Sequence, residues 1–227
     1  SVADFNRDGA VDLVTSQFPA QTVYLGHGDG TFGKPTRYTL GSAGHPTQLA
    51  ATGDVNGDDN PDLVVTGGLY NGSQRALWVM LGRGDGTFAA PSMTTCPIEV
   101  RPVVLELTDV NGDGRDEIIT DRAGTRVAVF AADTSGRFQL HSEYDISDAF
   151  SDLAVADFDR DGVADLAVPS LQRAGVTVLA GHGDGTFGDD FEYSQSGSPS
   201  GVAIGDLNGD GNPDFVSANG DGHTVSV

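Results

Sequence analysis

Near its C-terminal end the chain reads Asp206-Leu207-Asn208-Gly209-Asp210-Gly211-Asn212-Pro213-Asp214. Oxygen-bearing side chains stand at positions 1, 3, 5 and 9 of this nine-residue loop, and glycine stands at position 6. The oxygen-bearing pattern recurs four more times, at residues 4–12, 54–62, 109–117 and 157–165, with the position 6 glycine kept in all but the second loop. The loops begin at Asp4, Asp54, Asp109, Asp157 and Asp206, so the steps are 50, 55, 48 and 49 residues. A period near fifty points to the blade of a β-propeller, because the coils of a β-helix repeat over far shorter distances.

The residues around each loop support that reading. A short run of small apolar residues precedes it, as in Leu49-Ala50-Ala51 and Val202-Ala203-Ile204. A second apolar strand follows, as in Leu63-Val64-Val65, Ile118-Ile119 and Leu166-Ala167-Val168. A third is expected at Thr22–Leu25, Leu77–Leu81, Val127–Phe130, Val176–Leu179 and Thr224–Val227. A Gly-rich turn, Gly28-Asp29-Gly30-Thr31-Phe32 in its first copy, then leads to a more polar fourth strand beginning at Phe32, Phe88, Phe138 or Phe187. The third copy of the turn, Asp133-Thr134-Ser135-Gly136-Arg137-Phe138, keeps the Phe and one Gly and reads as the same turn with a changed surface. Glycine suits the positive φ angles of such turns. The near-continuous apolar runs of the second and third strands imply sheets covered on both faces. The expected fold is therefore all-β: a propeller of four-stranded antiparallel blades. Four and a half to five blades are visible over residues 1–227, read as one array. Ser1 falls within a first strand and Val227 within a third, so the sequence predicts an open arc or a fragment of a larger propeller.

The loops have the composition of a site for a hard cation. Ca²⁺ takes six to eight oxygen ligands, and alternate positions 1, 3 and 5 let three side chains converge on one centre. The predicted ligand sets are Asp4, Asn6, Asp8 and Asp12; Asp54, Asn56, Asp58 and Asp62; Asp109, Asn111, Asp113 and Glu117; Asp157, Asp159, Asp161 and Asp165; and Asp206, Asn208, Asp210 and Asp214. The backbone carbonyls of Ala10, Asn60, Arg115, Val163 and Asn212, at position 7, complete the sets. The closing acid comes at position 9 rather than 12 and strands flank the loop, so this is not a helix-flanked calcium loop. Two carboxylates about 4–5 Å apart repel by roughly 4 kcal/mol at an effective dielectric near 20, so converging acids call for a cation. Mg²⁺ fits less well, because it keeps its waters and demands a tighter octahedron. Asp59 replaces glycine at position 6 of the second loop, where a weaker site is expected, and Glu117 lengthens the closing acid of the third.

With these motifs in place, the chain resembles the FG-GAP/VCBS repeat family, which includes the integrin α-subunit propeller. Asp54-Val55-Asn56-Gly57-Asp58 and the 206–214 stretch are similar to that family's calcium loop. Leu25-Gly26-His27-Gly28-Asp29-Gly30-Thr31-Phe32 and Leu81 to Phe88 resemble its Gly-Asp-Gly-x-Phe element. The resemblance implies a propeller, commonly seven-bladed, bound calcium and an extracellular setting. It leaves the ligand open, since the repeat serves adhesion proteins, secreted scaffolds and carbohydrate-active enzymes alike.

Composition narrows the function. The formal net charge of −21 comes from 33 acidic and 12 basic residues, and it disfavours a nucleic-acid partner. Sixteen of the acids are predicted ligands, and five Ca²⁺ would bring the charge to −11. Cys96 stands alone, so no disulfide framework exists within the chain. No apolar run is long enough for a membrane-spanning helix. The start at Ser1, without a leader, fits a mature or trimmed product. The five histidines, His27, His45, His141, His182 and His223, include two in equivalent turns and form no catalytic constellation. Arg83-Gly84-Asp85 spells an adhesion tripeptide, but on a turn the repeat itself dictates. Trp78 lies in an apolar strand, which favours a core role over sugar stacking. The expected function is an extracellular binding or adhesion module for a protein or carbohydrate, with structural Ca²⁺. The alternative is the propeller domain of a secreted polysaccharide lyase or hydrolase.

Overall fold

The computed structural model describes residues 1–17, 20–40, 49–68, 75–95, 102–122, 124–133, 137–146, 149–170, 175–194, 198–220 and 222–227. Cys96 and His45 lie outside them. The elements form five antiparallel sheets, each pairing its strands in chain order. The first holds β1 (Val2–Ala3), β2 (Asp12–Gln17), β3 (Ala20–Tyr24) and β4 (Thr36–Thr39). The second holds β5 (Ala50–Gly53), β6 (Asp62–Gly68), β7 (Arg75–Met80) and β8 (Ser92–Thr95). The third holds β9 (Leu105–Thr108), β10 (Glu117–Arg122), β11 (Arg126–Ala132) and β12 (Phe138–Asp145). The fourth holds β13 (Ala154–Ala156), β14 (Asp165–Ser170), β15 (Gly175–Gly181) and β16 (Phe187–Ser194). The fifth has three strands, β17 (Pro199–Gly205), β18 (Asp214–Asn219) and β19 (Thr224–Ser226). These are the blades that the fifty-residue period predicts.

The core lies between blades. Phe5, Val14 and Val23 of the first blade pack with Leu63, Val65, Met80 and Phe88 of the second. Val64 and Leu77 of the second meet Leu105, Ile118 and Phe130 of the third. Ile119, Val127 and Val129 of the third meet Leu166, Val168 and Phe187 of the fourth. Each buried Leu, Ile or Phe is worth about 1.5–3 kcal/mol of transfer free energy. Strand β14 is buried along its whole length and β10 along all but its last residue, which explains the unbroken apolar runs. Trp78 packs, partly buried, against the first of these clusters.

The fourth strands depart from expectation in two blades. Phe138 and Phe187 open β12 and β16, as predicted, but Phe32 and Phe88 form only isolated bridges, to Gly26 and Gly82. The ladder resumes at Thr36 and Ser92. Pro35 and Pro91 stand between, and proline has no N–H to give the ladder. The third and fourth blades lack that proline, and their ladders continue through a register shift.

The hairpin of one blade locks onto the blade before it. Gly86 N donates to Phe5 O (2.9 Å), and Gly185 N donates to Val110 O (3.0 Å). Phe88 N donates to the Tyr38 hydroxyl (3.0 Å) and Phe187 N to that of Tyr144 (2.7 Å). The rings of these pairs meet edge to face. In the altered third hairpin, Asp133 N still donates to Arg137 O, the bond that closes the other three, while its tip, 134–136, lies outside the described residues.

Candidate metal centres

Each acidic loop joins the end of a blade's first strand to the start of its second. All five are organised by the same side-chain-to-backbone bonds. The position 1 carboxylate accepts from the N–H of position 6: Gly9 to Asp4, Asp59 to Asp54, Gly114 to Asp109, Gly162 to Asp157 and Gly211 to Asp206, all within 2.6–2.9 Å. The position 3 oxygen of Asn6, Asn56, Asn111, Asp159 or Asn208 accepts from the N–H of position 5. The position 5 oxygen of Asp8, Asp58, Asp113, Asp161 or Asp210 accepts from the N–H of Ala10, Asn60, Arg115, Val163 or Asn212. This winds the chain tightly around the side chains at positions 1, 3 and 5.

Such a winding needs left-handed backbone at two places. At position 6, Gly9, Gly114, Gly162 and Gly211 have φ between 80 and 89°, and Asp59 takes the same region at 62°. Position 4 is left-handed too: Gly57, Gly112 and Gly209 fill it in three loops, whereas Arg7 and Arg160 adopt φ of 57 and 67°. Position 6 is the one left-handed place expected from the sequence, although three glycines at position 4 carry a second signal. L-residues take this region at a cost, so both arginines are held there by the loop.

Four of the closing acids, Asp12, Asp62, Glu117 and Asp165, are buried, and Asp214 is half-buried; they are bonded more fully than their spacing suggests. Asp12 accepts from Phe5 N through one oxygen (2.8 Å) and from Gly26 N through the other (2.7 Å). Asp62 does the same with Val55 and Gly82, and Asp165 with Phe158 and Gly181. Asp214 accepts from Leu207 N. The longer Glu117 accepts from Val110 N, but its second oxygen turns to the Asn111 amide at 2.8 Å. The longer side chain is thus held differently from Asp12, Asp62 and Asp165.

Electrostatics separates the positions. Burial pushes the Asp62 carboxyl up to about 7; the Gly82 and Val55 amides oppose the rise, and the charges of Asp58 and Asp54 add to it. Burial likewise pushes Glu117 up to about 7, with Asp113 and Asp109 adding their charges. At position 5, the Ala10 amide holds Asp8 below the usual carboxylate range, and the Arg115 side chain does so for Asp113. In loop four, the carboxylate oxygens of Asp157, Asp159 and Asp165 lie within 4.8 Å of one another. The donors of all five loops are oxygens, mostly anionic, and a carboxylate oxygen bonded to one N–H retains a lone pair. That set fits a hard divalent cation.

Other sequence candidates resolve differently. The Asp85 carboxylate of Arg83-Gly84-Asp85 accepts from its own turn, from Thr87 N (2.9 Å) and the Thr87 hydroxyl (2.6 Å). Asp29 and Asp184 repeat this with Thr31 and Thr186. His141 bonds through its ring to the Asp184 carbonyl, and His182 to the Thr186 hydroxyl.

The FG-GAP-like repeat matches at residues 4–65, 54–120, 109–168 and 170–217, nearly the whole chain. The chain belongs to this family. No protein of curated function matches its sequence. Among solved structures, this FG-GAP-like repeat chain is similar to an Agrocybe aegerita lectin described as recognising non-reducing terminal N-acetylglucosamine. The TM-score is 0.63 at 20% identity, over 96% of this chain and 59% of the lectin. It is also similar to BBS1N, solved in complex with ARL6DN (TM-score 0.61, 10% identity, 96% and 61% covered). A third is an auxiliary nutrient binding protein from Bacteroides ovatus (0.53, 12%, 99% and 57%). At these identities the likeness is one of fold, a propeller-like array of β-sheets. The FG-GAP-like repeat chain spans about three fifths of the length of each.

Proposed function

We propose that this chain is a calcium-stabilised binding scaffold of the cell exterior, presenting loops of a rigid propeller to a protein or carbohydrate ligand. The observation that carries the reading is the common architecture of the five loops, above all loop four. There, three carboxylates converge within 4.8 Å, and mutual repulsion disfavours that arrangement without a positive charge. A cation in each loop ties the first strand of a blade to its second and neutralises the closing acid. With free Ca²⁺ at about 100 times Kd, each site adds roughly 2.7 kcal/mol. Millimolar extracellular calcium fills micromolar sites, and resting cytosolic calcium does not, which supports an exterior location. One ring nitrogen each of His141 and His182 is engaged by a hairpin oxygen, which supports a binding module over an enzyme. The fold shared with a lectin and a nutrient-binding protein agrees with this.

Two measurements test the proposal. Removing calcium with EGTA is expected to lower the melting temperature markedly, and excess Ca²⁺ to restore it; an unchanged melt defeats the calcium reading. A glycan array probed with and without Ca²⁺ is expected to show calcium-dependent retention, whereas cleavage of an arrayed glycan identifies the chain as part of an enzyme.

A further inference from the structure

Position 8 of the acidic loop is Val11, Pro61, Ala164 or Pro213 in four copies; in loop three it is Asp116. Through its carboxylate, Asp116 faces the backbone of Asp109, the first residue of its own loop, and reaches the preceding blade as well. Its Oδ2 accepts from Asp54 N at 2.7 Å, and its own N–H donates to Asp54 O at 2.7 Å. Both backbone groups of the first residue of loop two are thus held by one residue of the next blade. Gly53 makes room for this contact, since a Cβ there would lie 2.2 Å from Asp116 Oδ2 and 2.8 Å from Leu107 Cβ. The two loops also touch higher up, where a Cβ at Gly57 would meet the Arg115 stem at 3.1 Å and Gly114 O at 3.4 Å. Loops one and two, and loops four and five, meet through a long side chain: Arg7 reaches the Asp59 carbonyl and Arg160 the Asp210 carbonyl. Only between loops two and three, among the described residues, does a carboxylate next to one site grip the backbone of another.

We propose that Asp116 is a positioning residue that couples calcium binding at loops two and three, so that filling one tightens the other. The inference rests on the calcium reading above. Asp116 precedes the closing ligand Glu117, so a cation that fixes Glu117 also fixes the clamp on Asp54. The ordering cost of the shared segment then falls on the first ion to bind. Each loop sets three carboxylates against one divalent ion and remains net negative when filled, so the second cation still enters an attractive site.

The test follows the backbone amides of Gly57 and Gly112 by ¹⁵N NMR during a Ca²⁺ titration of the full chain, with Gly9 of loop one as the folding control. In the chain with Asp116, disabling loop three by Glu117→Gln is expected to raise the calcium midpoint at Gly57 about fivefold or more. In the Asp116→Ala background the same Glu117→Gln change is expected to leave the Gly57 midpoint in place. Gly53→Ala, which displaces the carboxylate while altering no ligand, is expected to reproduce that uncoupling with the Gly9 midpoint unchanged. Calcium shifts at Gly57 that ignore Glu117→Gln, or that respond to it equally with and without Asp116, overturn the coupling while leaving the calcium reading intact. Amides that do not respond to Ca²⁺ at all overturn both.

Discussion

The closing carboxylates Asp12, Asp62 and Asp165 act as buried crosslinks before any metal is considered. Each satisfies one N–H of its own loop and one at the start of the hairpin that follows the third strand. An unsatisfied buried donor costs about 1–3 kcal/mol. Asp165→Ala is therefore expected to destabilise the calcium-free protein by about 3 kcal/mol, read by urea unfolding in EGTA. Asp161, exposed in the same loop, is expected to cost less than about 1 kcal/mol there. Its removal is instead expected to abolish part of the gain that the proposed calcium site predicts. Equal losses for both variants in EGTA would sink this division of roles. Titration gives a second test. In the calcium-free fold, Asp62 and Glu117 are pushed up to about 7, against about 4 in the unfolded chain. A raised carboxylate favours the fold most below the unfolded value, and that contribution is lost as the pH rises through 7. The contribution of these two groups to calcium-free stability is thus expected to fall between about pH 4 and pH 7. Calcium competes with the proton, so its stabilising effect is expected to grow over the same range. Melting curves at several pH values, with and without Ca²⁺, check both signs.

At the scale of the element, one motif has two fates. Gly84–Phe88 and Gly28–Phe32 are the same hairpin in sequence, yet Phe88 is 3% exposed and Phe32 46%. Phe88 inserts between Phe5 and Tyr38 of the preceding blade, whereas the described contact of Phe32 is Tyr24 of its own. Phe88→Ala is expected to cost about 3–5 kcal/mol and Phe32→Ala about 1 kcal/mol, while Tyr144→Phe, which strips the acceptor from Phe187 N, costs about 1 kcal/mol. Comparable losses at Phe32 and Phe88 in urea unfolding contradict the docking account. Sequence could not separate these two, because the neighbour and not the hairpin decides burial. The strands themselves were legible, since a period of two with covered faces leaves a plain apolar signature at Leu63–Val65 or Leu166–Val168. Pro35 and Pro91 were also in plain view as ladder breakers. The second oxygen of Asp165 was not, because its partner Gly181 lies 16 residues away and contributes only a backbone amide. Asp116 stayed hidden for a similar reason: its partner Asp54 belongs to another repeat, 62 residues distant.

For the whole molecule, the sheets are stacked so that each blade finds its core in the next. Stability in such an array is the sum of blade terms and nearest-neighbour interfaces. Burial is accordingly uneven along the chain. Strands β10 and β14 have both faces covered, whereas β1 and β19 are largely exposed or half-buried. Leu207, at the loop position where Phe5, Val55 and Val110 are buried, is 56% exposed. Opening free energies should follow that gradient. Native-state hydrogen exchange is expected to show the slowest amides in β10, β14 and β15, with faster exchange toward both the first and the fifth blades. The net charge of −21 opposes compaction in every blade, so calcium should slow exchange throughout. On the proposed calcium reading each ion acts within one blade and its neighbour, so Asp4→Ala is expected to speed exchange in β2 while leaving β14 as it was. Exchange that rises equally in all five sheets after this substitution would mean that the chain opens as one cooperative unit, and that interfaces between blades are stronger than the blades they join.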